Sequence, residues 1–143
     1  MMTRANLRID DTRPIIVALE ADDLVAQVMH TKRGRILTCG GYLRPGIGLR
    51  GVNLIRLQHL AGVVGSWNGP WLAYFDWNIT PEQLRASKWM SKLDARILQP
   101  QDAAFTCTAG QQRLLDFVVH SADMEDMLQL RRVPTPWISH RGL

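Results

Sequence analysis

The stretch Trp71-Leu72-Ala73-Tyr74-Phe75-Asp76-Trp77-Asn78-Ile79-Thr80-Pro81 sets the fold. An apolar run climbs from Trp71 to Phe75 and stops at Asp76 and Asn78, which reads as a buried strand. Thr80-Pro81-Glu82 then opens a helix. Thr80 can serve as its N-cap, and Pro81 takes the first helical position, where a missing N–H costs nothing. A buried strand that delivers a carboxylate and an amide just before a turn is where α/β proteins place chemistry. Asp and Asn together suit a metal-bound or phosphate-bound oxygen. Both are also ordinary turn formers, and their spacing alone leaves the two readings open.

Upstream of this strand, residues 49–67 carry the best helical pattern. Leu49, Val52, Leu57, Leu60, Val63, Val64 and Trp67 share one broad side at 3.6-residue spacing. Asn53 and Arg56 interrupt that side near its start, and Asn68-Gly69-Pro70 stops the helix. Before the helix, Gly40-Gly41-Tyr42-Leu43-Arg44-Pro45-Gly46-Ile47-Gly48 has the glycine and proline content of a loop and is expected to hold no regular element. It lacks the Gly-Lys-Ser/Thr of a phosphate-binding P-loop and the spacing of a dinucleotide fingerprint.

Residues 24–29 and 35–39 read as two strands joined across Thr31-Lys32-Arg33-Gly34, an antiparallel pair. Residues 15–19 form a further apolar run, and 1–13 a loose lead-in. Downstream, 81–87 is a short helix that 89–93 extends or caps, and 121–127 is a helical or turn segment. Residues 95–98, 104–108 and 113–120 are strand candidates. Strand, helix and strand in succession point to a mixed sheet covered by helices.

The 143 residues suit one domain with a real core, and 46% hydrophobic residues against 21% charged exclude a disordered chain. Lys and Arg outnumber Asp and Glu by 17 to 13, with a pI near 9.6. That balance fits a polyanionic partner, although the arginines are scattered rather than massed. Cys39 and Cys107 lie in apolar, strand-like surroundings and read as buried thiols rather than a disulfide. No Cys/His spacing suggests zinc. No apolar run is long enough to span a bilayer. The expectation is an intracellular protein, compartment unassigned, with no membrane partner.

Asp116 interrupts Arg113-Leu114-Leu115-Asp116-Phe117-Val118-Val119-His120. Buried, it would need a partner such as Arg113 or a histidine; strand alternation equally allows it on an exposed face. His140 follows the proline-guided run Pro134-Thr135-Pro136-Trp137-Ile138-Ser139. Taken in order, Tyr42 with Pro45, Asp76-Trp77-Asn78, Asp116-Phe117 with Ser121, and Ser139-His140 form a set. This set resembles the endonuclease/exonuclease/phosphatase superfamily, the fold of apurinic endonucleases, pancreatic deoxyribonuclease and retroelement endonucleases. The likeness covers only the C-terminal part of such a domain, so 1–143 is expected to be a single truncated copy from a retroelement-like source.

What the resemblance implies is specific. The fold would be an α/β sandwich: a mixed, mostly antiparallel sheet with helices on one face, half of a four-layer domain. The activity would be magnesium-dependent phosphodiester hydrolysis of nucleic acid, that is, a nuclease. Asp76 would orient the attacking water, and Asn78 and Tyr42 would hold phosphate oxygens. His140, oriented by Asp116, would stabilise the transition state. Asp76, Asn78, Asp116 and His140 should then converge at one edge of the sheet. Phe75 stands where the family has glycine, Ser139 abuts His140 without the family's intervening Asp, and the family's magnesium-binding Glu has no matching motif. The alternative is a non-catalytic binding or self-associating module derived from the same fold, completed by a second copy or a complementary half.

Overall fold

The computed structural model describes the backbone of 8–9 and residues 24–100 and 116–129. They form one sheet in the order β1-β2-β3-β4-β6-β5. The strands are β1 (Arg8–Ile9), β2 (Leu24–Thr31), β3 (Gly34–Tyr42), β4 (Trp71–Asp76), β5 (Ala95–Leu98) and β6 (Asp116–Ser121). Only the β3–β4 pairing is parallel; the other neighbours run antiparallel. The parallel pair requires a crossover, which is helix α1 (Val52–Ser66). Helices α2 (Pro81–Ala86) and α3 (Trp89–Lys92) follow β4, and a 3₁₀ helix, Ala122–Met127, follows β6. The mixed, mostly antiparallel sheet with helices is the expected architecture.

Local chemistry explains the elements. The β2–β3 hairpin turns on Lys32-Arg33, with Thr31 opposite Gly34. Gly34 takes φ 121, a conformation that side chains avoid. The Thr31 hydroxyl accepts from Arg33 N and donates to Gly34 O. α2 has a full capping box: Thr80 Oγ1 accepts from Gln83 N at 3.3 Å, and Gln83 Oε1 accepts from Thr80 N at 2.8 Å. Thr80 is thus the N-cap, with Pro81 at the helix start.

Side chains of alternate strand residues divide the sheet into two faces. Leu24, Ala26, Leu37, Cys39, Trp71, Ala73, Phe75, Phe117 and Val119 face the helices, packing with Leu57, Leu60 and Val64 of α1. A smaller cluster, Leu72, Val118 and Met124, lies on the other face under the 3₁₀ helix. Three tryptophans tie this body together, each giving its indole N–H to a backbone carbonyl. Trp67 bonds Pro70 O at 3.0 Å, Trp77 bonds Phe117 O at 2.9 Å and Trp89 bonds Leu57 O at 2.8 Å. An amphipathic ring is well suited to burial only when that N–H is matched.

Two expectations need correction. β3 continues through Gly40 and Gly41 to Tyr42, so the first part of the glycine-rich segment is strand rather than loop. The ladder to β4 accounts for it: Gly40 pairs with Tyr74, Gly41 with Phe75 and Tyr42 with Asp76. Pairing on both sides overrides glycine's weak strand preference. The helix is also shorter than 49–67, beginning after Gly51, whose φ is 51. Residues 15–19, 104–108, 113–115 and 134–140 lie outside the described residues, as does Cys107.

Trp77 is fully buried and stacks between Phe75 and Phe117, with centroids 4.7 and 5.0 Å away. Trp77→Ala should lower unfolding stability by about 3–5 kcal/mol in urea titrations; a loss below about 1 kcal/mol would show that the stack does not hold β4 to β6. Burial pushes the Cys39 thiol up to about 12 from 9.0. Its contribution to stability is therefore complete below pH 9 and lost as pH rises through about 12. In a Cys107→Ser background, Cys39 should resist thiol reagents at pH 8 until the chain unfolds.

Candidate active site

At one edge of the sheet three adjacent strands bring polar residues into register. Tyr42, the last residue of β3, is the Cα partner of Asp76, the last residue of β4. Asp76 is in turn the partner of Asp116, the first residue of β6. Strands lie about 4.8 Å apart, so Tyr42, Asp76 and Asp116 form a row across three neighbouring strands. Asp116 is only 8% exposed, which decides for the buried reading of that residue. Asp76 is half-buried and Tyr42 exposed.

Asn78 follows in the turn after β4. Its φ of 49 is a left-handed conformation that asparagine tolerates better than most residues. From there its Nδ2 donates to Leu43 O at 2.8 Å, while Leu43 N donates to Asp76 O at 2.9 Å. The amide expected to hold phosphate therefore spends one of its two N–H bonds on the loop that follows Tyr42. Asp76, Asn78 and Asp116 do come together at one edge; His140 lies outside the described residues.

Ser121 is placed elsewhere. It ends β6 beside the start of β4, at the far end of the sheet from Asp116. There its Oγ accepts from Trp71 N at 3.0 Å and bonds the Asp123 carboxylate. The serine of the Asp116-Phe117 motif thus anchors a strand end and is remote from the row. His120 is buried near the same end, its Nδ1 2.8 Å from Ser121 O. Four residues along β6 from Asp116, about 13 Å, it is not the histidine that could orient that carboxylate.

Three residues of this edge were not singled out by their chemistry in the sequence. Tyr74 stands two before Asp76, so the strand period puts it on the same face. Burial, then the charges of Asp116 and Asp76, push its phenol up to about 12. Asn53 and Arg56 are the other two. Both are buried in α1; Asn53 turns toward the loop that follows β3 and Arg56 toward the end of β3 itself. Arg56 Nη1 donates to Tyr42 O at 3.2 Å, and its guanidinium lies 5.6 Å from the centre of the Tyr42 ring. Polar residues interrupting an apolar helix side were the available signal.

A divalent cation such as magnesium takes several oxygen ligands. The edge offers Asp76, Asp116 and the Asn78 carbonyl oxygen, but among the described residues no three His, Cys, Asp or Glu side chains gather to hold a metal ion. The described donors alone do not make a magnesium site.

No protein-family model and no curated protein matches the chain. Solved structures do. The endonuclease domain of TRAS1, a telomere-specific non-LTR retrotransposon, aligns over 85% of this chain at a TM-score of 0.62 and 17% identity. The catalytic domain of human Nocturnin, with bound sulfate anion, aligns over 82% at 0.54 and 18%. CdtB, the biologically active subunit of cytolethal distending toxin, aligns over 94% at 0.54 and 14%. The fold is that of the endonuclease/exonuclease/phosphatase superfamily. The alignments span 61%, 49% and 55% of those three chains, so this chain matches roughly half to three-fifths of their length.

Tyr74 reports on the row. In Tyr42→Phe it is the sole tyrosine, so ultraviolet titration reads it directly. Adding Asp116→Asn should lower its midpoint from about 12 while leaving it above 10.0, because burial is the larger cause. The neutral phenol contributes stability below pH 10.0 that is lost as pH rises through about 12. A midpoint indifferent to Asp116→Asn would place that carboxylate out of reach.

Proposed function

We propose that this chain is a nuclease-like phosphodiester hydrolase domain acting on nucleic acid. The observation that carries the reading is the row Tyr42–Asp76–Asp116, three neighbours in register at one sheet edge with Asn78 beside them. The superfamily fold supports it, as does the endonuclease named among the solved structures.

In this reading Asp76 accepts a hydrogen bond from the attacking water and aims it at phosphorus. Asn78, and Tyr42 from the neighbouring strand, donate to the non-bridging oxygens, where negative charge develops. Asp116, held in a mostly desolvated position, orients a basic side chain toward the leaving side; the sequence nominates His140 for that role. Magnesium belongs to the proposal through the resemblance and would offset phosphate charge.

The test is nicking of supercoiled plasmid and of abasic-site DNA, with magnesium or with EDTA. Wild-type protein should nick with magnesium only. Asp76→Ala and Asp116→Asn should each reduce the rate at least about 100-fold, as expected for groups that act on the transition state. Nicking that Asp76→Ala leaves unchanged would reject the hydrolase reading.

A second reading has one observation of its own. Val25, 53% exposed, and Tyr74, 38% exposed, flank Gly40 on the sheet face turned away from the helices. Apolar exposure there favours a module that associates through this face. Light scattering on a Val25→Lys variant separates the two readings: an association-driven module should lose its oligomer, whereas a monomeric hydrolase should be unaffected.

A further inference from the structure

We infer that the loop 43–51 is a prebuilt grip for a nucleic-acid backbone, with Arg44 and Arg50 as its phosphate-binding residues and Asn53 as the residue that positions both. The inference rests on the nucleic-acid reading above and names how that ligand is held beside the row.

Asn53 is fully buried at the start of α1 and spends its polar groups on this loop. Its Oδ1 accepts from Arg44 N at 2.7 Å, and its Nδ2 donates to Arg44 O at 2.9 Å and to Gly48 O at 2.7 Å. Its backbone N–H donates to Arg50 O at 3.1 Å. One side chain and its own amide thereby fix the backbone of both arginines. Leu43, just before Arg44, is held from the other side by Asp76 O and Asn78 Nδ2. The loop is thus continuous with the catalytic row through direct hydrogen bonds.

The arginines of this region divide by burial. Arg56 is 9% exposed and turned inward, to Tyr42 O and the Tyr42 ring. Arg44 and Arg50 are exposed. Neither forms an ion pair with another described residue, unlike Arg85 with Glu82 and Arg96 with Asp94. Two exposed guanidinium groups on a loop whose backbone is hydrogen-bonded in place suit contacts to backbone phosphates. A small phosphoester would need only the row. A polymer also needs charge beyond the row, and here that charge stands on the loop bonded to it. Ordering the loop in advance removes a cost that a flexible basic loop would meet on binding.

The experiment is fluorescence anisotropy with a labelled single-stranded oligothymidine, in EDTA so that no cleavage is needed, across a salt series. Arg44→Ala and Arg50→Ala should each weaken binding about 5–10-fold and lower the slope of log K against log salt by about 0.7, the loss of one phosphate contact. Arg33→Ala removes the same charge from the exposed turn at the opposite end of β3 and should change affinity less than about 2-fold. Asn53→Ala should weaken binding with the slope unchanged, since no charge is lost. The two arginine variants, being on the surface, do not depend on that variant folding.

Wild-type protein that fails to bind, or Arg33→Ala that costs as much as Arg44→Ala, overturns the inference. Binding through Arg44 and Arg50 without any nicking of plasmid would reject the hydrolase reading while upholding the grip. Nicking by a protein whose DNA affinity ignores Arg44 and Arg50 would do the reverse.

Discussion

The stack of Trp77 between Phe75 and Phe117, with its indole N–H on Phe117 O, is the contact on which the rest of the edge depends. It joins the end of β4 to the start of β6 at the point where their register must be right. Phe75 is the partner of Phe117 and Asp76 the partner of Asp116. A slip of one residue would send every side chain of one strand to the other face. The apolar row and the carboxylate row would then trade places. Like charges directly opposite each other on antiparallel strands disfavour pairing. The adjoining aromatic stack supplies attraction at the point where the two strands bring Asp76 and Asp116 opposite each other.

The parallel β3–β4 pairing is the second constraint. Because these strands run the same way, both end at the carboxylate edge, and both continue into loops there. The two loops are hydrogen-bonded to each other through Leu43, Asp76 and Asn78. An antiparallel arrangement of the same two strands would have put Tyr42 opposite Trp71, at the far end. The crossover helix α1 is therefore more than a cover for the core. Its first turn enters beside the β3 loop, which is why Asn53 and Arg56 can reach it.

Much of this was legible in the sequence because the relevant signals are local. The apolar run from Trp71 ending at Asp76, the Thr80-Pro81 cap and the 3.6-residue spacing of Leu57, Leu60 and Val64 each follow from near neighbours along the chain. The extension of β3 through Gly40 and Gly41 was not legible, because it comes from a ladder to β4 more than 30 residues away. The position of Ser121 was not legible for a related reason. A motif records spacing along a strand, and five residues of strand cover about 17 Å, enough to carry Ser121 from the carboxylate edge to the opposite end. Burial of Asp116 could not be read from alternation, since both faces of β6 are buried.

Asn53 and Arg56 show how a breach of pattern can carry information. On an apolar helix side, a buried amide or guanidinium is costly unless each polar atom finds a partner. Here Asn53 finds its partners on the backbone of the loop, and Arg56 Nη1 finds one in Tyr42 O at the end of β3. The helix thus replaces regular structure as the source of hydrogen bonds for a segment rich in glycine and proline. Such a segment can then hold a fixed shape while its exposed side chains remain available. That shape is also why the three arginines near it are not equivalent. Arg56 completes the scaffold from within, and its planar fork meets a carbonyl and an aromatic face at once. Arg44 and Arg50 differ from it in burial rather than in chemistry: the same guanidinium that is a structural member in Arg56 stands exposed on the loop in the other two.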